Sequence, residues 1–394
     1  MKRHQQDLMG IYLLLVNAFI YFPAAAFSPF MSAFYSGHGI NATQIGILYS
    51  IGPVAAICIQ PLWAMLSDST GKRKQIFGII TLGCTFTPLL YYSGSTFAVF
   101  FMATMAYNCF STALVPLSDA IIIKITYRYQ LDFARIRIGG TIGYALMVLF
   151  AGNYIKTNPN SQFAIGAVSF LLLFLISLTL PVEEKSRQEE KTEKKETEET
   201  VISKGIFKSR EIIFVLAFAL ISQIGLSFHG AFMGVYVLQI GYSQETIGVL
   251  SCIAAFSEIP ALFCINRLTR KYGSMKILMF SGIMVALRLL LITAGGMPVL
   301  VVAQVLQSVT YITIYYSCAV YINENVLPGK SSQGQSILAM LQAGAGSILG
   351  NIAGGFLVDR TGVIATYRIL AVLILLAVAA VIFVYRYAAV KRLK

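Results

Sequence analysis

Charge is scarce in this sequence. Asp, Glu, Lys and Arg make up 12% of its 394 residues, about half the share found in soluble globular domains. So few polar groups cannot cover a water-soluble fold of this length, which excludes an ordinary cytosolic enzyme, a disordered chain and a small secreted domain. Histidine occurs three times and tryptophan once. The six cysteines, at 58, 84, 109, 252, 264 and 318, all lie inside apolar runs and form no CxxC pair; they read as small packing residues, not as metal ligands or disulfide partners. A nucleotide loop is also missing: Gly329-Lys330-Ser331 would need a glycine at position 324, which is Glu324. No nucleophile–base spacing stands out, so the expectation is a chain that is not an enzyme and uses no cofactor and no metal.

What the sequence has in abundance is apolar length. Hydrophobic residues reach 57% and the mean hydropathy is +0.73. Twelve stretches are long enough to cross a bilayer: 8–35, 44–66, 75–93, 97–124, 136–156, 161–181, 211–239, 245–268, 274–294, 299–325, 333–357 and 366–388. Backbone polar groups inside a bilayer must be satisfied within the segment, and the alternation of a β-barrel is absent, so the stretches predict helices and an all-α membrane protein. The opening MKRHQQD runs into an apolar stretch too long for a cleaved signal, which makes it the first spanning helix.

The formal charge of +13 would suggest nucleic acid in a soluble chain. Here its distribution gives topology. With twelve spans, 26 of the 30 Lys and Arg fall on the side that holds both termini, and only Lys156, Arg360 and Arg368 on the other. The positive-inside rule then puts both termini in the cytoplasm of a multi-pass protein of the cell (inner or plasma) membrane, with no nucleic-acid partner. Residues 183–200, EEKSRQEEKTEKKETEET, have no apolar periodicity and carry eight of the seventeen acidic residues, as a solvated linker does. The linker divides the chain into a bundle at 1–181, a cytoplasmic segment at 182–210 and a second bundle at 211–394, suggesting two parallel six-helix halves. Asp68 and Asn266, 198 residues apart in the matching turns after the second and eighth spans, are a faint trace of that repeat.

Ionisable residues away from the span ends are few: Asp119, Arg137, His229, Glu258 and Arg288. A charge at the bilayer centre costs about 2.5–3.5 kcal/mol on insertion scales, so each should face a partner or a water-filled cavity. Asp119 and Arg137 each lie nine residues from Arg128. In an antiparallel hairpin that gives them similar depth and lets them pair. Glu258 and Arg288 flank the next such turn in the second half and are expected to pair likewise. His229 fits either a helix-packing residue or a substrate or proton group. Tyr311, Tyr315 and Tyr316 fit packing, interface or cavity positions. Gly139/Gly143 and Gly346/Gly350/Gly354 have the small-xxx-small spacing of closely packed helices.

These pieces together carry a family resemblance. The turn Asp68-Ser-Thr-Gly71-Lys72-Arg73-Lys74, following the second of twelve spans, resembles the loop signature of the major facilitator superfamily. Ser118-Asp119-Ala120, the run Asp132 to Tyr144 (DFARIRIGGTIGY), Ser257-Glu258-Ile259 and Ala286-Leu287-Arg288 look like the lactose permease and phenylpropionate permease branch. The resemblance implies two six-helix bundles around a central cavity. It implies that Asp119 and Arg137 bind substrate hydroxyls, that Tyr144 stacks on a sugar ring, that Glu258 binds substrate and carries the proton, and that Arg288 and Asp119 belong to the proton network. Asp68, Gly71 and Arg73 would latch the cytoplasmic gate. His229, Gln304 and Gln307 complete the expected substrate set. The chain also departs from the branch: Gln307 and Thr310 stand where the lactose permease has His and Glu, and Gln342 where it has Lys. The expected function is secondary active transport, a proton-coupled symport of a sugar-like polyhydroxylated solute by alternating access, carried out by a monomer in the lipid bilayer. The alternatives are symport of a small aromatic carboxylate, drug export or uniport, and, from another class, a receptor or a channel.

Overall fold

The computed structural model describes residues 2–181, 210–326 and 331–392. All but the last residue of the expected linker 182–210 falls outside them, as does the Gly329-Lys330 pair. Among the described residues the regular structure is helical throughout. Twelve helices have the length and hydropathy to cross a membrane: α1 Gln6–Gly37, α2 Ala42–Thr70, α3 Arg73–Ser93, α4 Phe97–Tyr129, α5 Phe133–Ile155, α6 Ser161–Thr179, α7 Ile212–Gln239, α8 Gln244–Tyr272, α9 Ser274–Ile292, α10 Met297–Asn325, α11 Gln333–Thr361 and α12 Val363–Tyr387. They are the twelve stretches read from hydropathy, extended mostly at their polar ends, where helix continues past the apolar run.

Several helices are broken where the sequence removes a backbone donor. α1 passes through a tighter turn at Ser28–Phe30, around Pro29. α2 is interrupted at Ile59, just before Pro61, since proline lacks the N–H that would continue the ladder. In α4 the break lies at 112–113, three residues before Pro116. There the Ala113 amide turns to the Phe110 carbonyl, and the Cys109 carbonyl instead accepts the indole N–H of Trp63, the chain's sole tryptophan, at 2.7 Å. α10 and α11 each contain a widened π-helical stretch, Ser308–Ile312 and Met340–Gly346. In each, a hydroxyl just past the stretch donates to a carbonyl five residues back: Thr313 to Ser308 at 2.9 Å and Ser347 to Gln342 at 3.2 Å.

By compactness the described residues fall into two units. The first comprises Met1–Ile40, Ile51–Glu190 and Val237–Phe256; the second comprises Asn41–Ser50, Lys191–Tyr236 and Ser257–Lys394. In lipid there is no hydrophobic drive between helices, so close van der Waals approach must hold them. The glycines supply it. A Cβ on Gly143 would sit 2.6 Å from the backbone of Ala18 in α1, and one on Gly350 would collide with the Ile224 carbonyl in α7. The α1/α5 and α7/α11 pairs are thus backbone-to-backbone contacts, as their glycine spacing indicates. Large apolar side chains left uncovered, among them Leu62, Met65, Met102, Leu262, Phe263 and Phe383, exceed what a water-soluble surface tolerates and suit a lipid-facing belt.

Candidate functional site

In the first unit the site grows from the α4–α5 hairpin. α4 ends on Gln130 in the left-handed conformation, φ 54°, and Asp132 caps α5 by accepting from the Ala134 amide at 2.9 Å. This short antiparallel turn brings Asp119 and Arg137 level. Arg137 Nη1 donates to Asp119 Oδ2 at 2.5 Å, and its guanidinium lies 5.9 Å from the Tyr21 ring centroid, within cation–π range. The other carboxylate oxygen, Asp119 Oδ1, is buried without a hydrogen-bond partner, and so are both amide atoms of the fully buried Asn17. Gly140 makes the room: a Cβ there would lie 2.6 Å from both Asn17 Oδ1 and the Tyr21 ring. Tyr144 is half-buried, seven residues beyond Arg137 on α5, and two helical turns put it on the same face.

In the second unit a larger polar cluster surrounds Arg288, which is 1% exposed. Its Nη1 donates to Gln307 Oε1 and, at 3.2 Å, to Thr310 Oγ1. Its Nη2 donates to Gln304 Oε1 at 2.9 Å and lies 3.1 Å from His229 Nε2. The other imidazole nitrogen of His229 is 3.1 Å from the Tyr367 hydroxyl of α12. Their flanking of the α8–α9 turn predicts a direct pair, but Glu258 does not meet Arg288 directly. Gln307 stands between them, its Nε2 donating to Glu258 Oε1 at 3.1 Å while its Oε1 accepts from the arginine. One amide thus joins acid and base where a direct ion pair would need the two helices closer together.

The turn expected to gate is also assembled. Gly71 takes φ 65° at the end of α2, a conformation that favours glycine, and Arg73 Nη2 meets Asp68 Oδ1 at 3.1 Å. Sequence reading passed over the next residue: Lys74 Nζ donates to the Leu178 and Leu180 carbonyls at 2.9 and 2.6 Å, neutralising the negative end of α6.

A model described as the MFS_1 like family matches residues 11–369. The chain belongs to this major facilitator family. Its members are transporters, not enzymes, and its helices make it a multi-pass membrane protein. Among relatives, the maltose permease of Geobacillus stearothermophilus is 23% identical over 370 residues, covering 91% of this chain and 92% of its own length. A protein of Escherichia coli K12 named "Probable 3-phenylpropionic acid transporter" is 24% identical over 307 residues, covering 77% and 79%. The crystal structure of the nucleoside transporter NupG superposes with a TM-score of 0.83 at 19% identity, covering 96% of this chain and 99% of that one, a likeness in fold.

Of the residues expected to serve this transporter, the structure brings together Asp119 with Arg137, and separately Glu258, Arg288, Gln304, Gln307 and His229. Sequence reasoning missed Asn17, Tyr21 and Tyr367. Asn17 alone offered a signal, as an amide in the middle of an apolar span.

Proposed function

We propose that the chain is a proton-coupled symporter of a neutral, sugar-like polyhydroxylated solute, working as a monomer by alternating access with both termini in the cytoplasm. One observation carries the solute class: both arginines of the candidate site are already engaged by the protein. Arg137 is paired with Asp119, and both terminal nitrogens of Arg288 are held by Gln307, Thr310, Gln304 and His229, which leaves only its buried Nε without a partner. A carboxylate substrate would have to compete with these partners. A hydroxyl-rich solute instead donates to Asp119 Oδ1, which lacks a partner, with Tyr144 as the aromatic face. The names of the maltose permease and the nucleoside transporter point the same way. In a thermal-shift panel of the purified protein, maltose, lactose or uridine raises the unfolding midpoint and 3-phenylpropionate does not. Stabilisation by 3-phenylpropionate alone overturns the solute class.

Glu258 is the proposed proton carrier, in contact with Arg288 through Gln307. Glu258→Gln is expected to keep counterflow, which needs no net proton movement, and to lose accumulation driven by a pH gradient. Wild-type protein that shows no such accumulation is a uniporter. Asp68, Gly71 and Arg73 are proposed to gate. Asp68→Asn is expected to slow turnover while leaving ligand affinity nearly unchanged, because Asp68 biases conformational exchange without touching substrate. Exchange measured beside equilibrium binding separates the two; a large loss of affinity with normal exchange speaks against gating.

A further inference from the structure

In the second unit α9 and α10 run antiparallel and pack against each other. Two observations fix their relative depth. At one level Arg288 of α9 donates to Thr310 of α10 at 3.2 Å. At another, on the side where α12 ends, Ser274 of α9 and Glu324 of α10 border one cavity of about 490 Å³, together with Asn266 and Arg270 of α8 and Tyr316 and Asn323 of α10. The stretch between these levels is 14 residues on both helices, 274 to 288 and 310 to 324, or about 21 Å. Midway, seven residues from either end on each helix, stand Ser281 and Ser317. The two serines are therefore level.

Both serines are 0% exposed, and neither hydroxyl has a hydrogen-bond partner. Arg288 Nε, at the head of the stretch, is likewise buried without one. Other buried hydroxyls of this chain donate to the carbonyl four residues back on their own helix, as Thr81 does to Phe77, Thr85 to Thr81 and Thr269 to Ile265. Ser281 and Ser317 do not. An unpaired hydroxyl between packed helices is destabilising, so its presence calls for a use other than packing. Seven residues are nearly two helical turns, which puts Ser281 on the face of α9 that carries Ser274 and Arg288. No charged residue occurs at 277–287 or 311–323. The charges stand at the ends: Arg288, with Glu258 behind Gln307, at one, and Glu324 and Arg270 at the other.

We propose that the α9–α10 seam is the route by which the proton on Glu258 reaches the cavity at Glu324, with Ser281 and Ser317 as its midpoint. The proposal rests on the reading of Glu258 as the proton carrier. Each half of the seam spans about 10 Å, against about 2.8 Å for one hydrogen bond, so water bridges from hydroxyl to hydroxyl. Glu258 gives up its proton to water beside Thr310 and becomes a carboxylate. At each serine the oxygen accepts one proton from the water above and releases its own to the water below, so the hydroxyl is restored. At the cavity the proton passes to the Glu324 carboxylate or to solvent. The positive charge of Arg288 at the head of the seam drives it in that direction.

The test follows the proton on Glu258 and needs no solute. The full chain, reconstituted in lipid, is studied by infrared difference spectroscopy, in which the carboxylic acid band that Glu258→Gln removes reports that side chain. Replacing water by heavy water shifts the band, and the rate of the shift is the rate of proton exchange. The double variant Ser281→Ala/Ser317→Ala is expected to slow exchange about tenfold, the rate equivalent of one hydrogen bond lost from the path. The single variants fall between and serve if the double variant fails to fold. Ser281→Thr/Ser317→Thr, which keeps both hydroxyls, exchanges at close to the wild-type rate; slow exchange there too overturns the hydroxyls as carriers. Because the hydroxyls have no partners, the double alanine variant is expected to unfold at or above the wild-type midpoint. A lower midpoint makes them packing bonds and overturns the proposal. Exchange as fast in the alanine variants as in the wild type overturns the route alone. A wild type without the Glu258 band overturns Glu258 as the carrier, and the route falls with it.

Discussion

Arg288→Met is expected to abolish transport and to lower the thermal unfolding midpoint in detergent more than any other substitution in the polar interior. Arg288 is 1% exposed and serves four side chains on two other helices. Methionine fills much of the volume but donates nothing, so Gln304, Gln307 and His229 lose a donor, and Glu258 loses its link to a positive charge. Removing one member of a buried charged network costs about 3–5 kcal/mol, because it strands the partners. Arg288→Lys is expected to fall between, since an ammonium cannot reproduce the planar fork that reaches several acceptors at once. A wild-type unfolding midpoint for Arg288→Met would show that the cluster contributes nothing to holding α7, α9 and α10 together.

Asp119→Asn and Arg137→Lys form the second large effect, this time on binding. Asn preserves the shape of Asp119 but removes the charge that Arg137 meets at 2.5 Å. It also replaces one carboxylate acceptor by a donor, at a residue whose Oδ1 is already buried without a partner. Hydrogen bonds to charged groups contribute about 1.5–3 kcal/mol, so affinity for the solute found in the thermal-shift panel should fall roughly 10- to 100-fold, read by calorimetric titration. Expression and the unfolding midpoint without ligand should change little, because the pair is partly exposed. Full affinity in both variants would make the pair a structural tie between α4 and α5.

The difference between these two sites also marks what could be read from the sequence. The Asp119–Arg137 pair follows from a local rule: two residues equidistant from a turn in a helical hairpin share a depth. The twelve spans follow from another, since lipid forces every backbone group to be paired within its own helix, and Asp68 with Arg73 follows from a five-residue turn. The surroundings of Arg288 follow from no local rule. Its partners sit 59, 22, 19 and 16 residues away, and only the packing of α7, α9 and α10 decides that a glutamine stands between acid and base. Asp359, which accepts from the Ala42 and Thr43 amides of α2, was missed for a related reason. Its three partners lie 316 and 317 residues off, and in the sequence it is one more charge at a helix end.

The widened turns of α10 and α11 have an evolutionary consequence. Each holds a residue more than an α-helix of the same height needs. Loss of one residue elsewhere in a spanning helix would rotate every side chain beyond it by about 100° and scramble both faces. Loss at Ser308–Ile312 or Met340–Gly346 would close the wide turn and leave the phase on either side intact. Relatives that differ by one residue in the length of these helices should therefore differ at those two stretches, with the positions matching Gln304 and Gln307 still facing the position of Arg288.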